Sequence, residues 1–178
     1  MKSSYLEKNL TYGDIISLLT LLKKPKKIVE FGILEGYSLD NFIENCNEET
    51  KIEAYDIFED FNGNGSQRDI IKKFQNKKNV KVEYGDFYKK HKDFDNESID
   101  ILHIDIANTG EIYEFTVKNY LQKINKDGII ILEGGSKERD EIWWMEKFKK
   151  PPIKSYLDSL NLKYRTFGDF PSITVIFV

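Results

Sequence analysis

The sequence predicts an α/β fold: a doubly wound sheet, mostly parallel, closed by a C-terminal antiparallel hairpin and sandwiched in three layers. Three observations predict it. Short β-branched runs alternate with segments of helical period, the pattern of a parallel sheet covered on both faces. Gly128 is followed by Ile129-Ile130-Ile131-Leu132, an uninterrupted apolar run of the kind a strand buried on both faces requires. The last two β-rich segments, Lys163 to Phe167 and Ile173 to Phe177, are joined by a link containing Gly168-Asp169-Phe170-Pro171. That link is too short for a crossover and suits an antiparallel pair.

Taken in order, the first helix is expected over Asp14 to Leu22, with Ile15, Leu18, Leu19 and Leu22 on one face. Lys23, Lys24 and Pro25 end it. Strand one, Lys27 to Phe31, runs into Gly32-Ile33-Leu34-Glu35-Gly36, after which Ser38 is read as the cap of a helix burying Leu39, Phe42, Ile43 and Cys46. Strand two spans Ile52 to Tyr55 and ends at Asp56. A polar loop, Asn62-Gly63-Asn64-Gly65, leads to a helix capped by Ser66, with Ile70, Ile71 and Phe74 inward. Strand three is Val80 to Tyr84, ending at Gly85-Asp86. Strand four, Ile99 to Ile104, ends at Asp105, and a helix beginning near Glu111 buries Val117, Tyr120, Leu121 and Ile124. Strand five ends at Glu133-Gly134-Gly135. A charged helix over Glu138 to Phe148, a stop at Pro151-Pro152 and a short helix near Leu157 precede the hairpin.

Length and composition bound the function. A chain of 178 residues and 20.9 kDa fits one domain, 1–178, with residues 1–13 as an N-terminal extension. Hydrophobic residues make up 40%, enough for a real core, which excludes global disorder. The 27 Lys and Arg against 30 Asp and Glu give a net charge of −3, without the basic excess of a nonspecific nucleic-acid binder. No nucleic-acid partner is expected. The single cysteine, Cys46, cannot form an internal disulfide. No apolar run approaches the roughly 20 residues that cross a bilayer, and the polar opening MKSSYLEKNL carries no hydrophobic signal segment. A cytoplasmic protein with no membrane partner is expected.

The strongest chemical signal is Val29-Glu30-Phe31-Gly32-Ile33-Leu34-Glu35-Gly36, an acid at the end of strand one and glycines four apart. A dinucleotide site needs G-x-G-x-x-G so that backbone can approach a pyrophosphate. That triple is absent, and Glu30 and Glu35 would repel phosphate. An acid before a glycine turn suits a ligand bearing an ammonium group instead. Asp56 follows Gly32 by 24 residues, near the roughly 20-residue interval at which an acid meets ribose hydroxyls in nucleotide folds. Glu30, Asp56, Asp86 and Asp105 all stand at the carboxyl ends of strands, where open α/β sheets bind ligands.

The pattern E-x-G-x-x-x-G resembles the first motif of the class I S-adenosylmethionine-dependent methyltransferases, whose fold is Rossmann-like. The resemblance implies S-adenosylmethionine as cofactor and small-molecule or sugar O-methylation as activity. It implies that Glu30, Gly32 and Gly36 hold the methionyl part, that Asp56 with its neighbour Ile57 holds the ribose, and that Gly85 and Asp86 flank the adenine. Asp105 then lies beneath the reacting methyl, as a cofactor contact and the first candidate for the base that takes the acceptor's proton. Glu133 is the alternative base or a hydroxyl acceptor. His103, two residues before Asp105 and one layer deeper, reads as a core histidine with its ring satisfied.

Acids at the ends of strands four and five hold magnesium in catechol-type O-methyltransferases, and Asp105 and Glu133 match those positions. The match is incomplete, because the catechol type follows its strand-five acid with Asn, where this chain has Gly134-Gly135. Asn108 substitutes only if its loop folds inward. Magnesium is therefore weighed and no metal ligand is assigned. Trp143 and Trp144, adjacent on one helix, cannot share a face. Either one is core and the other packs beneath Pro151-Pro152, or one indole with Arg139 walls a sugar-like or carboxylate-bearing acceptor. No separate substrate-binding domain is expected at this length, so recognition falls to loops, the N-terminal segment or a second copy of the chain in a homo-oligomer. Two other readings stand beside this one: an RNA or protein methyltransferase, and a non-catalytic cofactor-binding domain acting with a partner chain.

Overall fold

In the computed structural model, which describes residues 10–178, seven strands form one sheet in the order β3-β2-β1-β4-β5-β7-β6. The strands are β1 (Lys27–Phe31), β2 (Lys51–Asp56), β3 (Val80–Tyr84), β4 (Ile99–Ile104), β5 (Ile124–Glu133), β6 (Lys163–Phe167) and β7 (Ile173–Phe177). The first five are parallel, and β7 inserts antiparallel between β5 and β6. The order reverses at β1, whose neighbours are β2 and β4, so the switch point lies there.

Strand alternation builds the two core layers. Ile28 of β1, Ile101 of β4 and Ile129 and Ile131 of β5 pack with Ile16, Leu39, Phe42 and Phe74 from α1 (Tyr12–Lys23), α2 (Tyr37–Asn45) and α3 (Gln67–Phe74). Val29, Phe31, Leu102, Ile130 and Leu132 point to the opposite face. There they meet Phe87 of α4 (Phe87–Lys90), Tyr113 of α5 (Gly110–Asn119) and Ile153 and Leu157 of α8 (Ile153–Ser159). The remaining helices, α6 (Lys137–Asp140) and α7 (Trp143–Lys147), follow β5.

Several local expectations change. The buried side of α1 is Ile15, Ile16 and Thr20, whereas Leu18 and Leu22 are exposed, Leu22 by 70%. Thr11 and Asp14 form a reciprocal capping box that starts α1 at Tyr12. Residues 11–13 of the expected extension therefore belong to the first helix and its cap, and residues 1–9 lie outside the described residues. Gly36, not Ser38, is the N-cap of α2, because Ser38 turns its hydroxyl inward to Glu30. Ser66 does precede α3, with no side-chain cap bond, and Ile71 is exposed while Ile70 and Phe74 are buried. Helix α5 buries Ile112, Tyr113 and Thr116 and ends at Asn119, so Ile124 opens β5 instead of extending the helix. The helix expected over Glu138 to Phe148 is two: Ser136 caps α6, and extended backbone at Ile142 restarts the chain as α7.

Candidate active site

A crevice of about 500 Å³ opens at the carboxyl ends of the parallel strands. Six of the predicted site residues line it: Gly32, Asp56, Ile57, Gly85, Asp86 and Asp105. Glu30, Gly36 and Glu133 do not. Aromatic side chains, including Phe61, Tyr88 and Trp144, supply much of the remaining wall.

The glycine turn is fixed by close approach. A Cβ on Gly32 would stand 2.0 Å from the carbonyl oxygen of Asp105, and the residue has φ +89°, so both sterics and backbone demand glycine. Gly36 has φ +81° and a Cβ there would strike the Phe74 ring at 2.7 Å, so it packs α2 against α3 and does not shape the crevice. A Cβ on Gly85 would likewise stand 2.7 Å from the Tyr55 ring, so the close packing of Tyr55 there requires glycine.

Asp56, the last residue of β2, is buried and accepts from the turn itself. Its Oδ2 accepts from Ile33 N–H at 2.7 Å and Leu34 N–H at 3.4 Å, and its Oδ1 from Phe58 N–H at 2.7 Å and Asn64 Nδ2 at 2.8 Å. The carboxylate thus ties the ends of β1 and β2 together at the crevice wall. Asp86 caps α4 by accepting from Tyr88 N–H at 2.9 Å and pairs with Lys89 at 3.0 Å.

Glu30 points to the α1–α2 face and is fully buried. Its Oε1 accepts from Ser38 and faces His103 Nδ1 at 2.9 Å, while His103 Nε2 meets the Tyr12 hydroxyl at 2.9 Å. Oε2 of Glu30 has no partner among the described residues. His103 is a core histidine with both nitrogens engaged, as its position in the strand predicts. Burial pushes the Tyr12 hydroxyl well above its usual pKa, with the carboxylates of Asp105, Glu133 and Glu30 adding to the shift.

Asp105 follows β4 and is an exposed residue of the crevice lining, its carboxylate partly desolvated by the protein around it. That loss of hydration raises its pKa; His103 and Arg139 oppose the shift and Glu30 adds to it. Glu133 is different. Both of its oxygens are held by Arg139, Nε to Oε1 at 2.5 Å and Nη2 to Oε2 at 2.8 Å, and the Arg139 side chain is only 5% exposed. Burial raises the Glu133 pKa and Arg139 lowers it. Glu133 is therefore an anchor for α6.

Residues 29–133 match the family model described as a methyltransferase domain. The chain belongs to that methyltransferase family. Solved structures agree in fold. A methyltransferase from Geobacter sulfurreducens is 14% identical, covering 95% of this chain and 78% of its own, with a TM-score of 0.66. The O-methyltransferase TomG from Streptomyces achromogenes, involved in tomaymycin synthesis and solved with S-adenosylmethionine, is 14% identical over 96% of this chain and 81% of its own, with a TM-score of 0.69. An O-methyltransferase from Bacillus cereus, solved with S-adenosylhomocysteine, is 16% identical over 97% and 83%, with a TM-score of 0.66. No curated protein matches the chain.

The donor set of this methyltransferase does not fit a magnesium ion held by Asp105 and Glu133. Glu133 is spent on Arg139 and Gly134 offers no side chain. Asn108 is buried with its Nδ2 donating to the carbonyls of Ile104 and Glu133 and its Oδ1 without a partner among the described residues, a single neutral donor. Among the described residues no group of three or more His, Cys, Asp or Glu side chains gathers to hold a metal. Arg139 is likewise no open wall for an acceptor, because Trp144 covers its guanidinium at 5.1 Å. Neither tryptophan is core: Trp144 lines the crevice and Trp143 is 67% exposed. Sequence reasoning did not assign Tyr12 or Asn64, which lie in a helix start and a polar loop with no spacing signal to mark them.

Proposed function

We propose that this methyltransferase uses S-adenosylmethionine to methylate a hydroxyl of a small molecule or sugar, with Asp105 as the base. One observation carries the reading: the crevice is walled by three strand-end acids, Asp56, Asp86 and Asp105, around a glycine turn that carries no cationic side chain. Lys150 is the one Lys or Arg among the lining residues, and it faces Glu111 at 3.4 Å on the acceptor side. Such a wall attracts a sulfonium-bearing nucleoside and repels a pyrophosphate. The O-methyltransferases of similar fold that carry S-adenosylmethionine or S-adenosylhomocysteine support it.

The residues fit the cofactor class: the Gly32 turn gives close backbone approach, and the Asp56 and Asp86 carboxylates line the nucleoside side. When bound, S-adenosylmethionine supplies an electrophilic methyl whose sulfur leaves neutral, so little electrophilic help is needed from the protein. The chain's own work is alignment and proton removal. Asp105 accepts the proton of the acceptor hydroxyl, and its raised pKa makes it a better base than an ordinary aspartate. Trp144, Ile112 and Thr109 present a flat apolar wall with one hydroxyl beside it for the acceptor.

The test is methyl-labelled cofactor offered with a panel of phenols, sugars, RNA and protein extract. Label on the oxygen of a small acceptor, reduced about 10²- to 10⁴-fold in Asp105→Asn, is expected. Label on RNA or protein alone would overturn the acceptor class, and equal turnover in Asp105→Asn would overturn the base.

A further inference from the structure

A carboxylate offers about four lone-pair directions, and Asp56 has four donors on them. Three are main-chain N–H groups. Those of Ile33 and Leu34 belong to the β1–α2 turn, closed by Gly36 N–H donating to the Ile33 carbonyl at 2.7 Å. The third belongs to Phe58, the first residue of the 3₁₀ turn Phe58–Asp60. None of these can leave without unmaking a turn. The fourth donor is the Asn64 carboxamide, a half-buried side chain that also lines the crevice.

Asn64 sits in a loop with few backbone ties. Its neighbour Gly63 has φ +108° with open space where a Cβ would be, and the backbone of Asn64 is held by one long bond, its N–H to the Phe61 carbonyl at 3.2 Å. A ribose hydroxyl that donates to Asp56 needs a position already filled, and only Asn64 can yield it.

We infer that Asn64 is a latch: its carboxamide holds the Asp56 position that the ribose requires, and the nucleoside binds by displacing it. The inference rests on the ribose reading of Asp56 and adds a residue that sets cofactor affinity. Binding then exchanges one hydrogen bond to a carboxylate for another, and the population with Asn64 withdrawn scales the apparent affinity.

The experiment is titration calorimetry and stopped-flow binding of S-adenosylhomocysteine, the latter read from Trp144 fluorescence, on wild type, Asn64→Ala, Asn64→Leu and Asp56→Asn. Melting curves check that each variant folds, and Asn64→Leu keeps the bulk of the side chain. Both Asn64 variants are expected to bind about three- to tenfold tighter, with the gain in the association rate. Asp56→Asn is expected to bind more weakly. If Asp56→Asn weakens binding while the Asn64 variants bind equally or more weakly, the latch is wrong and the ribose reading survives. Unchanged affinity in Asp56→Asn removes the ribose reading, and the latch with it.

Discussion

Replacing Glu133 by alanine separates a structural anchor from a catalytic base. In the native protein the Glu133 side chain is 16% exposed, and both of its oxygens engage a guanidinium that is almost fully buried. Among the described residues, deleting the carboxylate leaves the Arg139 guanidinium with one hydrogen bond, to the Asn108 carbonyl at 3.3 Å, and its Nη1 has no partner to begin with. Removing one member of a buried pair costs about 3 to 5 kcal/mol, because the surviving charge keeps its desolvation penalty. For a domain of this size each kcal/mol is about 2 to 4 °C of melting temperature, so Glu133→Ala should melt about 6 to 20 °C lower. Glu133→Ala combined with Arg139→Met should recover much of that loss, since it removes the stranded charge. The assay is thermal unfolding followed by circular dichroism, with turnover measured well below the melting point. A variant that melts within about 2 °C of wild type yet loses activity about 10²-fold or more would show that Glu133 acts in chemistry, and would refute the anchoring argument.

Three further outcomes follow from the geometry. Asp105 is exposed at the crevice and its pKa is raised by partial desolvation, so any stability it contributes is present at low pH and weakens as pH rises through that value. Asp105→Asn should therefore melt no lower than wild type at pH 8 and equally at about pH 4, while turnover is lost; a lower melting point at pH 8 would contradict the desolvation argument. In wild type the acid limb of kcat/KM should lie above the ordinary aspartate range, as pH titration of the rate will show. Gly32→Ala places a Cβ 2.0 Å from the Asp105 carbonyl, and should lose S-adenosylhomocysteine binding in calorimetry; retained affinity would mean that the turn relaxes. EDTA and added magnesium should leave the rate unchanged, and a rate restored by magnesium after chelation would show that Glu133 leaves Arg139 to bind a metal.

The parallel half of the sheet was legible because both of its faces are buried. Strands β1 and β4 match their expected bounds, since a run buried on both faces leaves little freedom in register, and the edge strand β3 matches through its alternation of Val with Lys and Glu. The hairpin was legible from a link too short to cross the sheet. Helix rotation was less so. Leu18 and Leu22 share a helical stripe with Ile15, yet the packed face of α1 runs through Ile15, Ile16 and Thr20 and leaves them outward. In the site, position along a strand located Asp56, Asp86 and Asp105 at the crevice, because the end of a parallel strand fixes depth. What the one-dimensional pattern lacks is partnership. Nothing in the spacing of Glu133 and Arg139 distinguishes a salt bridge from a base beside a substrate clamp. Glu30 likewise lies in the predicted motif but faces the helix layer, because alternation from Phe31 turns it away from the crevice. Its carboxylate meets His103 and Ser38 there, a contact that joins β4 to α2.

The most direct measurement is calorimetric titration of one preparation of the full chain with S-adenosylhomocysteine and, separately, with NAD. Saturable binding of the sulfur nucleoside at one site per chain, with no heat from NAD, is the predicted result. Binding of NAD alone, or of neither, would contradict an acid-walled crevice shaped for a sulfonium-bearing nucleoside.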